Sequence, residues 1–409
     1  MKGVFFLLLM MPLVLFGQDR VLTISSKDSV NGQPVLKSSL GANLKLNGFY
    51  DFFGGLQVSE TFNVGMINVF GTDDSPSFNM DLYQTQLRFE ATYFEKSGER
   101  VYAIVESDFW GGNGRMRLRR AFVESRHWQI GQNWNNFGDE MIWPNIMEWE
   151  GPPSGIWVRT PHIKYSNTFR NPDWIYELSL EAPITNYISF EELGLNVDEA
   201  NQVTPDLTLA FKKVFAWGHL RISSIARNIR YSLDGNIDNF LGYGFSISGL
   251  HIDKNRNMFQ FQMVAGEGIT AYMTSIAGLG YDGYQSQNQS FVPTPAAGGW
   301  ASYEYYLTSR LHANGVLGFT RYNFKDAREF TLRGEDGGEE LVIQGDFINS
   351  HVYGILNLMY DPFPRMTIGI ELDYGWKNID FSGFADGSFE SGTKRRDAMR
   401  MSFGFMFYI

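Results

Sequence analysis

The sequence predicts an all-β fold, a transmembrane antiparallel β-barrel of about 16 strands. From Ala42 onward, apolar and polar residues alternate with a period of two, which is typical of half-buried strands and not of helices. Short polar turns and long connectors alternate along the chain, as they do in membrane-spanning barrels. The chain ends inside an apolar alternating run. Such a run can pair with the first strand, so that no unsatisfied edge is left in lipid.

Composition excludes several classes of function. The formal net charge of the 409 residues is −11, and no long basic tract is present, so we expect no nucleic-acid partner. The chain has no cysteine, which excludes disulfides and thiolate chemistry and is compatible with an oxidising periplasm. Glycine and proline fall at intervals between short runs. We therefore expect a single barrel domain over residues 42–409.

The first 17 residues predict a cleaved signal peptide. Lys2 precedes the apolar run Val4 to Phe16, and Gly17 supplies a small residue at the cleavage point. The run is shorter than the ~20 residues of a spanning helix, although an uncleaved anchor is the alternative. Residues 18–41 are polar, and we expect a short periplasmic segment there. Export of a barrel predicts the outer membrane of a Gram-negative bacterium, with its lipid as a partner.

Six strands are predicted before residue 170. In the run that contains Tyr83, Leu87 and Phe89, these residues alternate with Gln84 and Arg88. Ten further strands follow, near residues 173–183, 205–214, 218–230, 241–252, 257–267, 299–309, 310–324, 346–360, 366–378 and 395–409. Long connectors are expected at 53–80, 184–204, 268–298, 325–345 and 379–394. The last strand carries its apolar face on Phe403, Phe405, Phe407 and Ile409.

The stretch from Arg115 to Tyr165 is unusual in its chemistry. Arg115, Arg117 and Arg119 occupy alternate positions, so a strand places their guanidinium groups on one face of the sheet. Met116, Leu118 and Phe122 are expected on the opposite face, toward lipid, and Arg120 at an interface or girdle. Cations inside and apolar residues outside are what a water-filled barrel requires.

A loop rich in Trp, Pro, Gly and acids follows the next strand, at residues 136–155. Its position predicts that it folds into the lumen as a constriction. We expect its four acids to face the arginines and to create a transverse field at the narrowest point. These acids are Asp139, Glu140, Glu148 and Glu150.

Four motifs in this stretch resemble those of the DcaP-like porins. They are Arg117-Leu118-Arg119-Arg120-Ala121-Phe122-Val123-Glu124, Gly131-Gln132-Asn133-Trp134-Asn135-Asn136-Phe137-Gly138-Asp139, Glu150-Gly151-Pro152-Pro153 and Arg159-Thr160-Pro161-His162-Ile163-Lys164-Tyr165. The resemblance covers residues 45–170 and implies a trimeric barrel of 16 strands whose third outer loop enters the lumen. It also implies a preference for small anionic solutes such as dicarboxylates. Residues 18–41 depart from the family, because they lack the long helical extension that its members can carry.

The expected pore lining is a cationic strip on one wall. Guanidinium groups stay charged at any working pH and bind carboxylate or phosphate through paired hydrogen bonds. Each of these cations could equally serve a lumenal salt bridge that only holds the wall or the loop, and the inward direction of Arg159, His162 and Lys164 is open. The strip comprises Arg88, Arg115, Arg117 and Arg119, with Lys45, Arg159 and Lys164.

Other chemistry has weaker support in the sequence. The six histidines show no metal-binding spacing, so we expect no metal and no cofactor. Asp73-Asp74 and the segment from Asp336 to Glu340 could bind calcium, but solvated turns explain them as well. Glu371 and Asp373 share one face and invite an acid/base hypothesis, although lumenal salt bridges explain them as well. We expect a non-enzymatic porin, and the alternatives are a barrel enzyme and a barrel that binds or adheres through its loops.

Overall fold

The computed structural model describes residues 22–56, 61–71, 73–184, 197–233, 235–288, 291–333, 340–385 and 388–409. The predicted signal peptide, residues 1–17, lies outside these ranges. Sixteen antiparallel strands form one closed barrel, in which neighbours in sequence are neighbours in space. The predicted fold class and strand number are therefore confirmed. No helix long and apolar enough to cross a membrane occurs in the described ranges.

The strands are numbered in chain order. They are β1 Leu36–Phe53, β2 Ser77–Asp81 with Gln86–Phe94, β3 Arg100–Asp108, β4 Arg117–Ser125, β5 Trp128–Trp134, β6 Arg159–Thr168, β7 Trp174–Glu181, β8 Asp206–Phe215, β9 Gly218–Leu233, β10 Asn236–Ile252, β11 Met258–Glu267, β12 Pro295–Tyr306, β13 Leu311–Arg333, β14 Glu340–Phe363, β15 Met366–Ala385 and β16 Ser388–Tyr408.

Closure joins β16 to β1, as the apolar C-terminal run predicts. Tyr408 pairs with Asn43 and Met401 with Tyr50, and Ala42 and Ile409 exchange backbone hydrogen bonds. Because every strand then has two neighbours, the backbone needs no water within the membrane.

The two faces of the strands carry the alternation seen in the sequence. Lys45 and Asn47 on β1 are buried inside the barrel, whereas Leu87 and Phe89 on β2 are exposed on its outer surface. Lipid on one side and a polar lumen on the other impose this period of two.

Three predicted boundaries are wrong. The barrel begins at Leu36 and not at residue 42, and the segment Leu22–Ser25 pairs with Lys37–Leu40. Serine and glycine in 36–41 conceal the alternation, because they are neutral toward both faces. The connectors expected at 325–345 and 379–394 are largely strand, since β13 to β16 continue as long paired hairpins. Polar residues are frequent in these segments, so the sequence shows no clear period there.

Three outer segments fold inward and fill part of the lumen. The first is residues 61–71, which includes a 3-10 turn at Val64–Met66. The second is the third outer loop, between Trp134 and Arg159. The third lies between β11 and β12 and includes a 3-10 turn at Thr270–Tyr272. Their apolar side chains form clusters with inward residues of β9 to β15, and the inward course predicted for the third loop is confirmed.

Candidate functional site

A bulge in β4 decides where its arginines point. Asp108 pairs with Arg117 and Ser107 with Leu118, but Glu106 pairs with Arg120, so Arg119 and Arg120 together oppose one residue. A bulge of this kind reverses the alternation beyond it. Arg117 and Arg119 face inward before the bulge, and Arg120 faces inward after it.

The prediction was wrong for two residues of this strand. Arg120, expected at an interface or girdle, lies on the lumenal side and hydrogen-bonds Glu106. Phe122, expected to face lipid, is only 8% exposed, whereas its neighbour Val123 is 48% exposed. Met116 and Leu118, which precede the bulge, are exposed on the outer surface as expected.

Two carboxylates of β3 hold four guanidinium groups. Glu106 accepts hydrogen bonds from Arg88 at 2.7 Å, from Arg119 at 3.1 Å and from Arg120 at 2.7 Å. Asp108 accepts from Arg117 at 2.8 Å and from Arg119 at 2.9 Å. Such charge-assisted bonds fix the guanidinium planes. A third carboxylate, that of Glu90, lies 3.7 Å from Arg88. Four cations therefore face three nearby anions, and the wall keeps a local surplus of positive charge.

The remaining predicted cations divide into three kinds. Arg115 is exposed in the turn before β4, at the outer end of the barrel. Lys164 is buried and inward, in the same register as His162, whose Nε2 lies 3.0 Å from Gln129. Lys45 is buried and donates to the carbonyl of Met147 at 2.8 Å, so it holds the loop.

Arg159 differs from the other arginines in its partners. It begins β6, its guanidinium lies 4.9 Å from the ring of Trp134, and Arg119 and Arg117 are the like charges that repel it most strongly. Its Nη1 is buried and has no hydrogen-bond partner among the described residues. The pairing of β6 with β5 runs through Pro161 without a register shift.

The third outer loop is attached to the wall that runs from β7 through β15. Arg221 donates to the carbonyls of Gly138 and Asn136, both at 2.6 Å. Further along, Glu371 accepts from the backbone N–H of Met147 at 2.8 Å and of Glu148 at 2.7 Å. The acid/base hypothesis for Glu371 is thus replaced by an anchoring role.

Three of the four loop acids do not face the arginines, contrary to the prediction. Asp139 contacts His219 and Ser248, at 2.8 and 2.7 Å. Glu148 accepts from the N–H groups of Phe62 and Gly151, and Glu150 lies 3.3 Å from Asn63 and from the Ser275 N–H. Each acid satisfies buried backbone or side-chain donors, because unpaired buried donors are costly. Glu140 alone among the four is exposed.

Tryptophans occupy the place expected for those acids. The ring of Trp149 lies 4.8 Å from the guanidinium of Arg119. The rings of Trp143 and Trp157 are 4.2 Å apart, and Trp143 reaches Trp134 at 6.1 Å. The arginines therefore face aromatic rings, with which guanidinium groups interact favourably.

The environments of two loop acids shift their pKa values in opposite directions. Burial alone would raise the pKa of Asp139, but His219 and Arg221 hold that pKa below its ordinary value. Burial and the neighbouring carboxylate of Glu148 together raise the pKa of Glu150 to about 7. The two ends of the loop therefore respond differently to pH.

A cavity of 610 Å³ lies beside the arginines and extends to the end of the barrel that carries the short turns. Arg88, Arg119 and Arg120 line it together with Trp149. Acids line it as well, including Glu124 and Glu304 nearer the short turns. The surplus of positive charge is thus a local property of the level of Glu106 and Asp108, and not of the whole lumen.

Other predicted chemistry finds no support in the geometry. Among the described residues there is no group of three or more His, Asp or Glu side chains placed to hold a metal ion. Asp74 pairs with Arg396 at 3.0 Å, and most of the acidic segment from Asp336 lies outside the described ranges.

Sequence reasoning missed the anchors of the loop. Arg221, His219 and Ser248 are far from residues 136–155 in sequence, and no local pattern connects them. Glu106 and Asp108 were recognisable only as the polar face of β3. Three arginines close together in a lumen require nearby acids. This requirement could have indicated Glu106 and Asp108 as their partners.

Comparisons with solved structures identify neighbours of the same fold. The outer membrane channel DcaP of Acinetobacter baumannii has a TM-score of 0.68 and 15% identity, over 93% of this chain and 100% of that chain. An anion-selective porin from Comamonas acidovorans has a TM-score of 0.55 and 9% identity, over 91% and 99%. OprB of Pseudomonas putida has a TM-score of 0.50 and 10% identity, over 90% and 94%.

No protein-family model matches the chain, and no curated protein matches it in sequence. At these identities the likeness is one of fold. It agrees with the barrel of 16 strands that the DcaP-like resemblance implies.

Proposed function

We propose that the chain is an outer-membrane porin through which small hydrophilic anions diffuse passively. The observation that carries the proposal is the local excess of guanidinium groups beside the cavity. Arg88, Arg117, Arg119 and Arg120 share Glu106 and Asp108, and Arg159 adds a fifth cation with an unpartnered Nη1. Strips of charge on a pore wall are a general means of ion selection.

The arginines offer an anion a sequence of contacts along the barrel axis. Arg115 stands at the outer end, Arg117 is one third exposed, and Arg119 and Arg120 follow at the level of Glu106. Their partner acids prevent permanent capture, because each guanidinium is already partly neutralised. A solute that binds weakly at several successive points can enter and also leave.

Small dicarboxylates are the proposed solutes. Two carboxylates on one short chain can engage guanidinium groups at two levels of the wall at once, and each can form paired hydrogen bonds. The cavity volume of 610 Å³ is large enough for molecules of this size. The DcaP-like resemblance implies the same class of solute.

The proposal is tested by reversal potentials in planar bilayers separated by a salt gradient. We expect anion preference for the native chain and a preference at least about threefold weaker for R117Q/R119Q, because neutral side chains remove the attraction. The second variant is R159Q, which leaves no described carboxylate unpaired. The control is R126Q, whose side chain is 70% exposed in a turn.

Cation preference of the native channel, or no change in either lumenal variant, would contradict anion selection by this wall. A barrel that never conducts would contradict transport itself. Folding of each variant is checked by the mobility difference between heated and unheated gel samples.

Export and assembly complete the proposal. Residues 1–17 are proposed to be a cleaved signal, and residues 18–35 to lead into the barrel, which begins at Leu36, on the periplasmic side. N-terminal sequencing of protein from outer-membrane fractions should then begin near Gln18. Association into a homotrimer is proposed from the DcaP-like resemblance, and light scattering of the detergent-solubilised protein should give three times the mass of one chain.

A further inference from the structure

Four polar residues form a row on the outer surface of the barrel, across β13 to β16. Arg321 pairs with Ser350, Ser350 with Asn378, and Asn378 with Arg395. Arg321 and Arg395 are exposed. Thr320 and His351, the chain neighbours of Arg321 and Ser350, point to the opposite face and are fully buried. The row therefore points away from the lumen.

Two aromatic residues lie directly below it, on the side nearer the centre of the barrel. Phe319 is exposed on β13, and Trp376 occupies the same level on β15. The guanidinium of Arg395 lies 4.6 Å from the ring of Trp376. Aromatic girdles mark the boundary between the apolar band and the headgroups, so the polar row lies at headgroup level.

The height of the row supports this placement. Tyr360 is exposed near the short-turn end of β14. The stretch of β14 from Tyr360 to Ser350 rises about 25 Å, at ~3.3 Å per residue and a strand tilt of ~40°. An apolar band of a transmembrane barrel has the same height. The row therefore meets the leaflet on the side of the long loops.

The two arginines have no carboxylate within ion-pairing distance among the described residues, and Arg321 contacts only the amide oxygen of Asn323, at 3.5 Å. The acids nearby are engaged by hydroxyl groups. Asp397 accepts from Tyr374 at 2.8 Å, and Asp380 accepts from Thr393 at 2.6 Å. Arg395 also hydrogen-bonds the Tyr374 hydroxyl, and both guanidinium groups keep further N–H donors for an external anion.

The opposite rim offers a contrast. Lys213 stands over the ring of Trp174 at 5.4 Å and pairs with Asp173 at 2.9 Å. There too a cation sits on a girdle tryptophan, but its charge is already neutralised by the chain. On the outer rim, neither Arg321 nor Arg395 forms such an ion pair with a described residue.

We propose that this row, Arg321, Ser350, Asn378 and Arg395, binds the phosphorylated headgroup of a glycolipid in the outer leaflet. The two arginines are separated by three strand spacings of ~4.8 Å, about 14 Å, which suits a headgroup with two separate phosphates. Arginine binds phosphate through paired hydrogen bonds. Ser350 and Asn378 lie between them, where they can contact sugar hydroxyl groups.

The inference rests on the proposed outer-membrane location but not on transport. It is tested by native mass spectrometry of the full chain in detergent with added bis-phosphorylated lipid A, dephosphorylated lipid A or phosphatidylethanolamine. We expect bis-phosphorylated lipid A to bind the native chain and to bind R321Q/R395Q at least ~10-fold more weakly, because two charge-assisted contacts are lost. The matched control K213Q, at the other rim, should bind as the native chain does.

Equal binding of lipid A to the native chain and to R321Q/R395Q would overturn the inference, and so would equal binding of the dephosphorylated lipid. If the double variant fails to fold, as judged by gel mobility, R395Q alone provides the same comparison. Conductance of R321Q/R395Q should be unchanged. A native chain that binds the lipid but does not conduct would contradict the proposed porin function and leave this site intact.

Discussion

The wall of β2 to β4 and the wall of β9 to β15 both carry charged side chains into the lumen, and they use them differently. On β9 to β15 the charges meet the backbone of the third loop, as Arg221 meets the Gly138 carbonyl and Glu371 meets the Met147 N–H. On β2 to β4 the charges meet one another, as Arg119 meets Glu106 and Asp108.

Under the proposed function, this difference separates a structural role from a selective one. A charge that is bonded to a backbone dipole is fully engaged and holds a loop in place. A cluster with more cations than anions leaves a net field, and this field acts on whatever passes. The third loop is thus anchored to one wall, whereas the other wall borders the cavity, so variants on the two walls should have different effects.

The largest effect is expected from E371A on the wall of β9 to β15, which holds the third loop. The N–H groups of Met147 and Glu148 would lose their acceptor, and each buried donor left unpaired costs about 1–3 kcal/mol. We expect the loop to detach and the single-channel conductance to rise at least about twofold, because the loop narrows the lumen. Selectivity should fall only as a result of the wider pore.

The control for this variant is E124Q. The native Glu124 is an acid in the same lumen and contacts Gln129 of β5. Its conductance should stay close to that of the native channel. If E371A left conductance and noise unchanged, Glu371 would not be an anchor of the loop.

Much of the wall could be predicted from sequence because lipid and water impose opposite demands on successive residues. Leu87, Arg88 and Phe89 alternate for this reason, and sixteen strands follow from counting such runs. The bulge at Arg119 and Arg120 could not be predicted. Arginine and alanine at 120 and 121 fit either face, so the alternation carries no mark of the extra residue.

The partners of the loop could not be predicted either. Asp139 and Glu150 look alike in sequence, as acids in a polar loop. One meets His219 on β9 and the other lies close to Glu148, and only the closed barrel brings these groups together. Acidic composition therefore indicated the loop but not the direction of its side chains.

A pH dependence of intermediate size is expected from Glu150. Its pKa is about 7 in the folded chain, because of burial and of Glu148, against an ordinary 4.5. A raised carboxyl pKa means that the folded state binds the extra proton, so the stabilisation is present below about pH 4.5 and is lost as pH rises through 7. The loss is at most about 3 kcal/mol.

The measurement is the frequency of brief closures in single-channel records between pH 5 and pH 8. We expect the loop to become more mobile and the closures more frequent as pH rises, and E150Q should remove this trend. E140Q, an exposed acid in the same loop, should keep the trend. The end of the loop at Asp139 should contribute nothing in this range, since the pKa of Asp139 is depressed by His219 and Arg221. A native channel with identical records at both pH values would contradict the prediction.

The smallest effect in free energy, and the sharpest in sign, is expected from E106Q on the wall of β2 to β4. Glutamine keeps an acceptor for Arg88, Arg119 and Arg120 but removes the negative charge that they share. A unit charge at ~4 Å is worth ~1 kcal/mol even in bulk water, or about fivefold in local anion concentration. The anion preference in a salt gradient should therefore rise by up to about fivefold, whereas R117Q/R119Q lowers it.

The control is E124Q, a change farther toward the short turns. It should shift the reversal potential in the same direction but less, because the field of a charge falls with distance and is screened by salt. A reversal potential that moved toward cations in E106Q would mean that the arginines bind their acids and not the passing anion, and the two walls would then differ in structure alone.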